Sequence, residues 1–305
     1  QHPGVRFLLD ETQPIYVGGS IEIVELPIHY DFESLRYTTS EVCQEFLTRG
    51  WNSVIALQTS KTVHRLERDL IIELAKTKSS KVLLLPIVGE TEPGNLEYFS
   101  RVKCCQAMLS HLPVNLATLC LLPVAMRMAG PRETLLNGII HRNYGCSSFV
   151  VGPDDSSPPI IDSGERFYQQ YASQEYLAAY ADEVGIEMVP IEERRYSVSR
   201  KIFMPISVAE SENEPTNNDY SERDLRRTLS AGDVIPDWFS FPNVIDCLSK
   251  VYPPISRVGY TLFFTGFSGS GKSTLARMVN AKLIEDDQRP VTLLDGDIVR
   301  QHLSS

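Results

Sequence analysis

Residues 266–273 read Gly-Phe-Ser-Gly-Ser-Gly-Lys-Ser, a run that fits the spacing G-x-x-x-x-G-K-[ST] with no mismatch. This run constrains the fold around it. Its glycines let the backbone curl until several N–H groups converge, and that geometry needs a strand leading in and a helix leading out. Both flanks comply. Tyr260–Thr265 is aromatic and β-branched and predicts a buried strand, and Thr274–Ile284 predicts a helix. A helix start adds the positive end of its dipole, so the loop is suited to phosphate. Gly266, Ser268, Gly269, Ser270, Gly271 and Thr274 would line the phosphates of ATP. Lys272 would reach the β- and γ-phosphates, and Ser273 would hold Mg²⁺. A glycine-rich turn before a structural helix is the plainer alternative. The agreement of loop, lysine, hydroxyl and both flanks argues against it.

Val291–Leu294 predicts a second short strand, ending in Asp295-Gly296-Asp297 and followed by Arg300. Carboxylates at the carboxyl end of a strand beside a phosphate loop suit Mg²⁺ or a hydroxyl nucleophile. The loop followed by Leu-Asp-Gly-Asp-x-x-Arg resembles the adenylyl-sulfate (APS) kinase family. The resemblance implies transfer of the γ-phosphoryl of ATP to the 3′-hydroxyl of adenylyl sulfate. It also implies that Asp297 orients or deprotonates the hydroxyl or orders Mg²⁺, and that Arg300 contacts the anionic substrate. Residues 256–305 hold one βα unit and the next strand, against roughly 100–200 residues for a domain. They are expected to be the N-terminal part of a P-loop kinase, and both ends of the chain read as cut from a longer protein.

Composition fits soluble globular units. Hydrophobic residues make up 42% and charged residues 22% of 305, with a formal net charge of −10. That charge disfavours nucleic acid and anionic membranes as partners. The longest apolar stretch, near residues 116–126, is broken by Pro123 and too short for a bilayer. Cys43, Cys104, Cys105, Cys120, Cys146 and Cys247 show no C-x-x-C spacing, which predicts reduced thiols and a cytoplasmic protein.

The middle of the chain alternates between the two periods. Strands are predicted at 52–58, 81–88, 116–122, 148–151 and 186–190. Helices are predicted from the first strand to about Thr77 and over 96–112, 131–144 and 165–183. This βαβα rhythm predicts an α/β doubly wound parallel sheet, whose ligands bind at the carboxyl ends of strands. The loops at 59–64, 123–132 and 152–157 are therefore the ones to inspect. A second resemblance lies here, to ATP sulfurylase over roughly residues 15–245. It rests on Tyr16-Val-Gly-Gly, Leu26–Phe32, Met126-Arg-Met-Ala-Gly-Pro-Arg-Glu133, Asn143–Cys146 and Ile235-Pro-Asp-Trp-Phe239. It implies a nucleotidyltransferase-like domain that joins sulfate to the α-phosphate of ATP, and a homo-oligomer.

The departures from that family's pattern are chemical. Its signature Gln-Thr-Arg-Asn-Pro-x-His-x-x-His stands here as Gln58-Thr59-Ser60-Lys61-Thr62-Val63-His64-Arg65-Leu66-Glu67. Its Gly-Arg-Asp-His-Ala-Gly stands as Gly152-Pro153-Asp154-Asp155-Ser156-Ser157. Gln58, Thr59, His64, Gly152 and Asp154 remain. Two arginines and two histidines are gone, while Glu67 and Asp155 are expected to place carboxylates where phosphate oxygens belong. A lost oxyanion donor costs about 2.7–4 kcal/mol, so this domain reads as catalytically degenerate. His64 then reads as satisfied by local hydrogen bonds, and Arg127 and Arg132 as structural.

Four segments follow: 1–50, the end of a β-rich, PUA-like domain and its connection; 51–205, the sulfurylase-like domain; 206–255, a small helical subdomain and linker; and 256–305, the kinase part. Residues 207–219 predict a flexible acidic loop, 221–230 a capped helix and 242–251 another. Three functions are compatible: an APS kinase fused to an inactive sulfurylase-like domain, a working bifunctional enzyme, or a non-catalytic nucleotide sensor.

Overall fold

The computed structural model describes residues 2–10, 15, 17–25, 28–89, 97–158, 166–217, 220–254, 258–267, 269–285 and 291–294. It has two compact units, residues 1–255 and 256–305.

The first unit is built on five parallel strands: β1 (Val54–Thr59), β2 (Lys81–Pro86), β3 (Ala117–Leu119), β4 (Ser148–Val151) and β5 (Glu187–Pro190). Their order is β3-β2-β1-β4-β5. The sheet is doubly wound, as the alternating periods predict, and its order reverses between β1 and β4. The strands are apolar along nearly their whole length because both faces are covered. On one face Ile55, Leu57, Val82, Leu84 and Val150 pack against α3 (Arg65–Thr77) and α4 (Tyr98–Leu109). On the other, Val54, Ala56, Leu83, Leu85, Phe149 and Val151 pack with Val42 and Phe46 of α2 (Thr39–Arg49) and with Leu177. One residue of register shift would exchange these two sets.

Helix α2 starts at a full capping box, with Thr38 Oγ1 accepting from Glu41 N–H and Glu41 from Thr38 N–H, and it stops at the left-handed Gly50. Its buried face belongs to the sheet's own core, so the unit's core begins before the boundary drawn at residue 50. Among the described residues of 1–50 there are helices, α1 (Pro3–Asp10) and α2, and a 3₁₀ turn at Glu33–Leu35, and no strand. The α5 helix (Pro131–Asn143) begins with proline at its first turn, as predicted.

The predicted helix over 165–183 is shorter and double: α6 (Ala172–Ala179) and α7 (Ala181–Val184). Tyr171 takes a left-handed conformation, and its N–H donates to Pro153 O at 2.7 Å, which delays the helix start. The predicted loop 207–219 also differs. It contains α8 (Ile206–Ser211) and β8 (Thr216–Asn217), which joins β6 (Arg194–Ser197) and β7 (Ile202–Pro205) in an antiparallel sheet ordered β7-β6-β8. Two of its acidic residues are paired: Ser197 and Ser199 donate to Glu214, and Arg200 pairs with Glu212 and Glu214.

Two helices close one face of the sheet, α9 (Glu222–Ala231) and α10 (Pro242–Ser249). Leu225, Leu229, Ile235, Phe241, Val244 and Leu248 pack into the core around Ile55 and Leu84. The 206–255 segment thus shares the core of the 51–205 domain.

In the second unit α11 (Lys272–Glu285) forms where the sequence places a helix. The predicted strands at 260–265 and 291–294 have no ladder partner among the described residues and are not β-structure there. Extended chain becomes strand only when a neighbour takes up its N–H and C=O groups.

Candidate active site

The phosphate loop keeps the curl its glycines permit. Gly266, Gly269 and Gly271 have φ of 151°, 79° and 84°, a range side chains resist. A Cβ on Gly266 would lie 3.0 Å from Ser270 Oγ. Lys272 is the first residue of α11 and bends back across the loop, its Nζ donating to Phe267 O at 2.7 Å. Ser273 and Thr274 follow on the exposed first turn. A cation and a helix start therefore adjoin the loop. That arrangement fits ATP phosphates, with Ser273 offering a hydroxyl for Mg²⁺. Ser268, Asp297 and Arg300 lie outside the described residues.

The sulfurylase-like motifs follow β1 and β4, adjacent strands at the point where the sheet order reverses. Ligands of doubly wound sheets bind there. Gln58 is the last but one residue of β1, with Oε1 buried and unpartnered among the described residues. Thr59 shapes the following turn, accepting from Lys61 N–H at 3.1 Å and donating to Lys61 O at 3.0 Å.

His64 is 6% exposed and fully engaged. Nε2 meets Thr62 Oγ1 at 2.9 Å, Nδ1 meets Ser240 Oγ at 2.8 Å, and the ring packs on Phe239 with centroids 4.4 Å apart. Burial pushes its pKa down to about 4. The family signature places Glu67 among phosphate oxygens. Its carboxylate instead accepts from His64 N–H at 2.7 Å, closing the N-terminus of α3. Burial raises the Glu67 pKa, partly offset by that hydrogen bond.

The second motif is also turned inward. Asp155 Oδ1 accepts from Thr134 Oγ1 and Ser156 Oγ, both at 2.8 Å, and burial raises its pKa. Asp154 pairs with Arg166 at 2.9 Å. Gly152 has open space where a Cβ would stand.

Sequence reasoning passes over Glu133, the buried carboxylate that organises the 126–131 loop. It accepts from Arg127 N–H at 2.8 Å and Ala129 N–H at 2.9 Å. The signal is present: proline at the first helical position and glutamate at the third. Gly130 N–H donates to Ser156 O, so three backbone donors of this loop are already consumed. Arg127 and Arg132, read from sequence as structural, are exposed and make no side-chain hydrogen bond or ion pair among the described residues. Gly130 itself has φ 53° and ψ −125°, and a Cβ there would sit 2.5 Å from Tyr168 Cδ2. Gly130→Ala is expected to cost about 2–4 kcal/mol from backbone strain and overpacking. A urea midpoint unchanged from wild type would refute this.

Four thiols are in the core, and burial pushes Cys104 up to about 12 and Cys120 up to about 11, which suppresses their nucleophilic form. No helix among the described residues is long and apolar enough to cross a membrane.

Comparison with known proteins gives two consecutive family matches: ATP-sulfurylase over residues 33–251 and Adenylylsulphate kinase over residues 258–305. A sulfate adenylyltransferase of Mycosarcoma maydis is 40% identical over 304 residues, covering 100% of this chain and 53% of that protein. The corresponding Yarrowia lipolytica protein is 40% identical over 306 residues, with the same coverage. The chain spans about half the length of the curated relatives it matches. Among solved structures, a hexameric APS kinase from Thiobacillus denitrificans superposes with a TM-score of 0.73 at 35% identity, covering 92% of this chain and 52% of that one.

Proposed function

We propose, because this chain belongs to the ATP-sulfurylase family and runs on into an adenylylsulphate kinase match, that it is part of a sulfate-activating protein in which only the kinase performs chemistry. The reaction is phosphorylation of adenylyl sulfate by ATP at the 3′-hydroxyl. Bound ATP supplies the phosphoryl group, and Mg²⁺ neutralises its charge. The backbone of Gly266, Ser268, Gly269, Ser270 and Gly271, with Thr274, cradles the phosphates. Lys272 leaves Phe267 O for the phosphate oxygens, and Ser273 with Asp297 holds the metal. Asp297 orients the acceptor hydroxyl, and Arg300 binds the acceptor's anionic groups.

The sulfurylase-like domain acts as a scaffold. One observation carries this reading: His64 engages both ring nitrogens with Thr62 and Ser240, while Glu67 covers the N-terminus of α3. His64 is thereby withheld from sulfate and from the α-phosphate, while Lys61 of the same motif stays exposed. Loss of several donors at about 3 kcal/mol each puts the reaction more than roughly 10⁴-fold below a working sulfurylase. The test is sulfate-dependent exchange of pyrophosphate into ATP by the full-length protein, with kinase turnover as internal control. The expected result is kinase turnover without exchange. Robust exchange refutes the scaffold reading.

A second reading, a working bifunctional enzyme in which Lys61 and His64 rescue the first step, is favoured by the sulfate adenylyltransferases among its relatives and by the exposed side chains of Lys61, Arg127 and Arg132. Exchange that Arg127→Ala or Arg132→Ala abolishes would select it. The hexameric state of the Thiobacillus denitrificans kinase, together with the family resemblance, supports a homo-oligomer. A cytoplasmic site of action accords with the unpaired thiols.

A further inference from the structure

The inactive-scaffold reading leaves the order of protons around His64 unexplained. The Glu222 carboxylate only accepts, so Thr62 Oγ1 donates to it, at 2.7 Å. Thr62 has then used its proton and serves His64 Nε2 as an acceptor, at 2.9 Å. The imidazole proton is therefore on Nε2. Nδ1 is left as an acceptor, and Ser240 Oγ supplies its proton across 2.8 Å. Every donor points the same way: Ser240 to His64, His64 to Thr62, Thr62 to Glu222.

The sequence serine–imidazole–acid resembles a hydrolytic relay, but Ser240 is 1% exposed and Thr62 3%. No substrate atom reaches the hydroxyl. What the chain joins is structural. Thr62 and His64 belong to the loop after β1. Glu222 opens α9, and Ser240 lies two residues before α10. Arg65 reinforces the joint, with Nε donating to Ser240 O at 3.1 Å and its guanidinium 4.3 Å above the Phe241 ring.

We propose that Ser240, His64, Thr62 and Glu222 form a directional hydrogen-bond joint. It fastens the α9–α10 module to the carboxyl end of β1. The threonine stands where the family signature has a proline. The joint uses the old anion loop as a clasp, and in that sense it rests on the non-catalytic reading of the domain.

The experiment needs no turnover. Histidine in the full-length protein is labelled with ¹⁵N, and the His64 ring signals are identified by their loss in His64→Gln. The joint predicts the neutral Nε2–H tautomer. Thr62→Val is expected to disturb that tautomer and to speed amide exchange across Glu222–Ala231 by about tenfold or more, leaving β1 and β2 unchanged. Thr62→Ser restores both. Glu222→Gln, whose amide can offer a proton, is expected to raise the share of the Nδ1–H form, which keeps the test alive if Thr62→Val does not fold. An Nδ1–H tautomer in the wild type overturns the proposal. So does α9 exchange that ignores Thr62→Val, or failure of the serine rescue. Pyrophosphate exchange decides the scaffold reading separately, so the two ideas fail independently.

Discussion

Lys272→Ala is expected to lower kcat/KM for phosphorylation of adenylyl sulfate by roughly 10²–10³-fold, the cost of one preorganised donor to developing charge at about 2.7–4 kcal/mol. The lysine is already held against the loop. Its Nζ is tethered at 2.7 Å to Phe267 O, inside the turn made by Gly266, Gly269 and Gly271. Exchanging that single hydrogen bond for two phosphate oxygens costs little and brings a full positive charge to the transferred group. Lys272→Arg is expected to rescue poorly, because a planar fork cannot replace a compact point charge at the end of a flexible stem. The measurement is 3′-phosphorylation of adenylyl sulfate by the full-length protein, with circular dichroism to verify that it remains folded. Turnover within about tenfold of wild type would mean the loop binds nucleotide without transferring phosphate, and the sensor reading would replace the kinase.

The sheet was legible because parallel strands covered on both faces are apolar without interruption, and β1, β2 and β4 announce themselves that way. The position of the motifs at the carboxyl ends of strands was legible with it, whereas the switch point between β1 and β4 needed the strand order. What a local window cannot see is a partner far along the chain. The acidic run near Glu212 and Glu214 reads as a solvated loop until Ser197, Ser199 and Arg200 come to meet it. Thr62 and Glu222 are 160 residues apart, so the joint left no local trace. Glu67 is the instructive case. Compared with the family signature it reads as a charge hostile to phosphate. Read as the third helical residue after His64 it is half of a capping box, and that is the role the geometry gives it. The first reading used chemistry borrowed from relatives, and the second needed only helix geometry.

Acidification is expected to unfold the first unit through its buried imidazoles. Burial holds His64 down to about 4 and His141, 0% exposed, down to about 3. Both ring nitrogens of His141 lack partners among the described residues. In the unfolded chain a histidine titrates near 6.5. For each group the folded pKa is the lower one, so the unfolded state binds the proton first. The stability is present in full above about pH 6.5 and is lost as pH falls from there toward the folded values. At pH 5 the loss is about 2 kcal/mol per histidine, a large share of the ~5–15 kcal/mol that holds a domain together. Glu67 and Asp155 act in the opposite sense. Burial raises their folded pKa, so their charged forms cost stability at neutral pH and acid relieves that cost. Asp31, Glu41, Glu214 and Asp224, whose carboxyls are held below their usual range by hydrogen bonds, and Asp69, raised by burial, add to the wild-type profile, and a substitution isolates one member. His64→Gln removes one imidazole and should unfold more easily than wild type at pH 7.5. Between pH 7.5 and 5 it should lose about 2 kcal/mol less than wild type in urea titrations followed by tryptophan fluorescence. Parallel profiles for the two proteins would show that His64 does not carry the acid sensitivity.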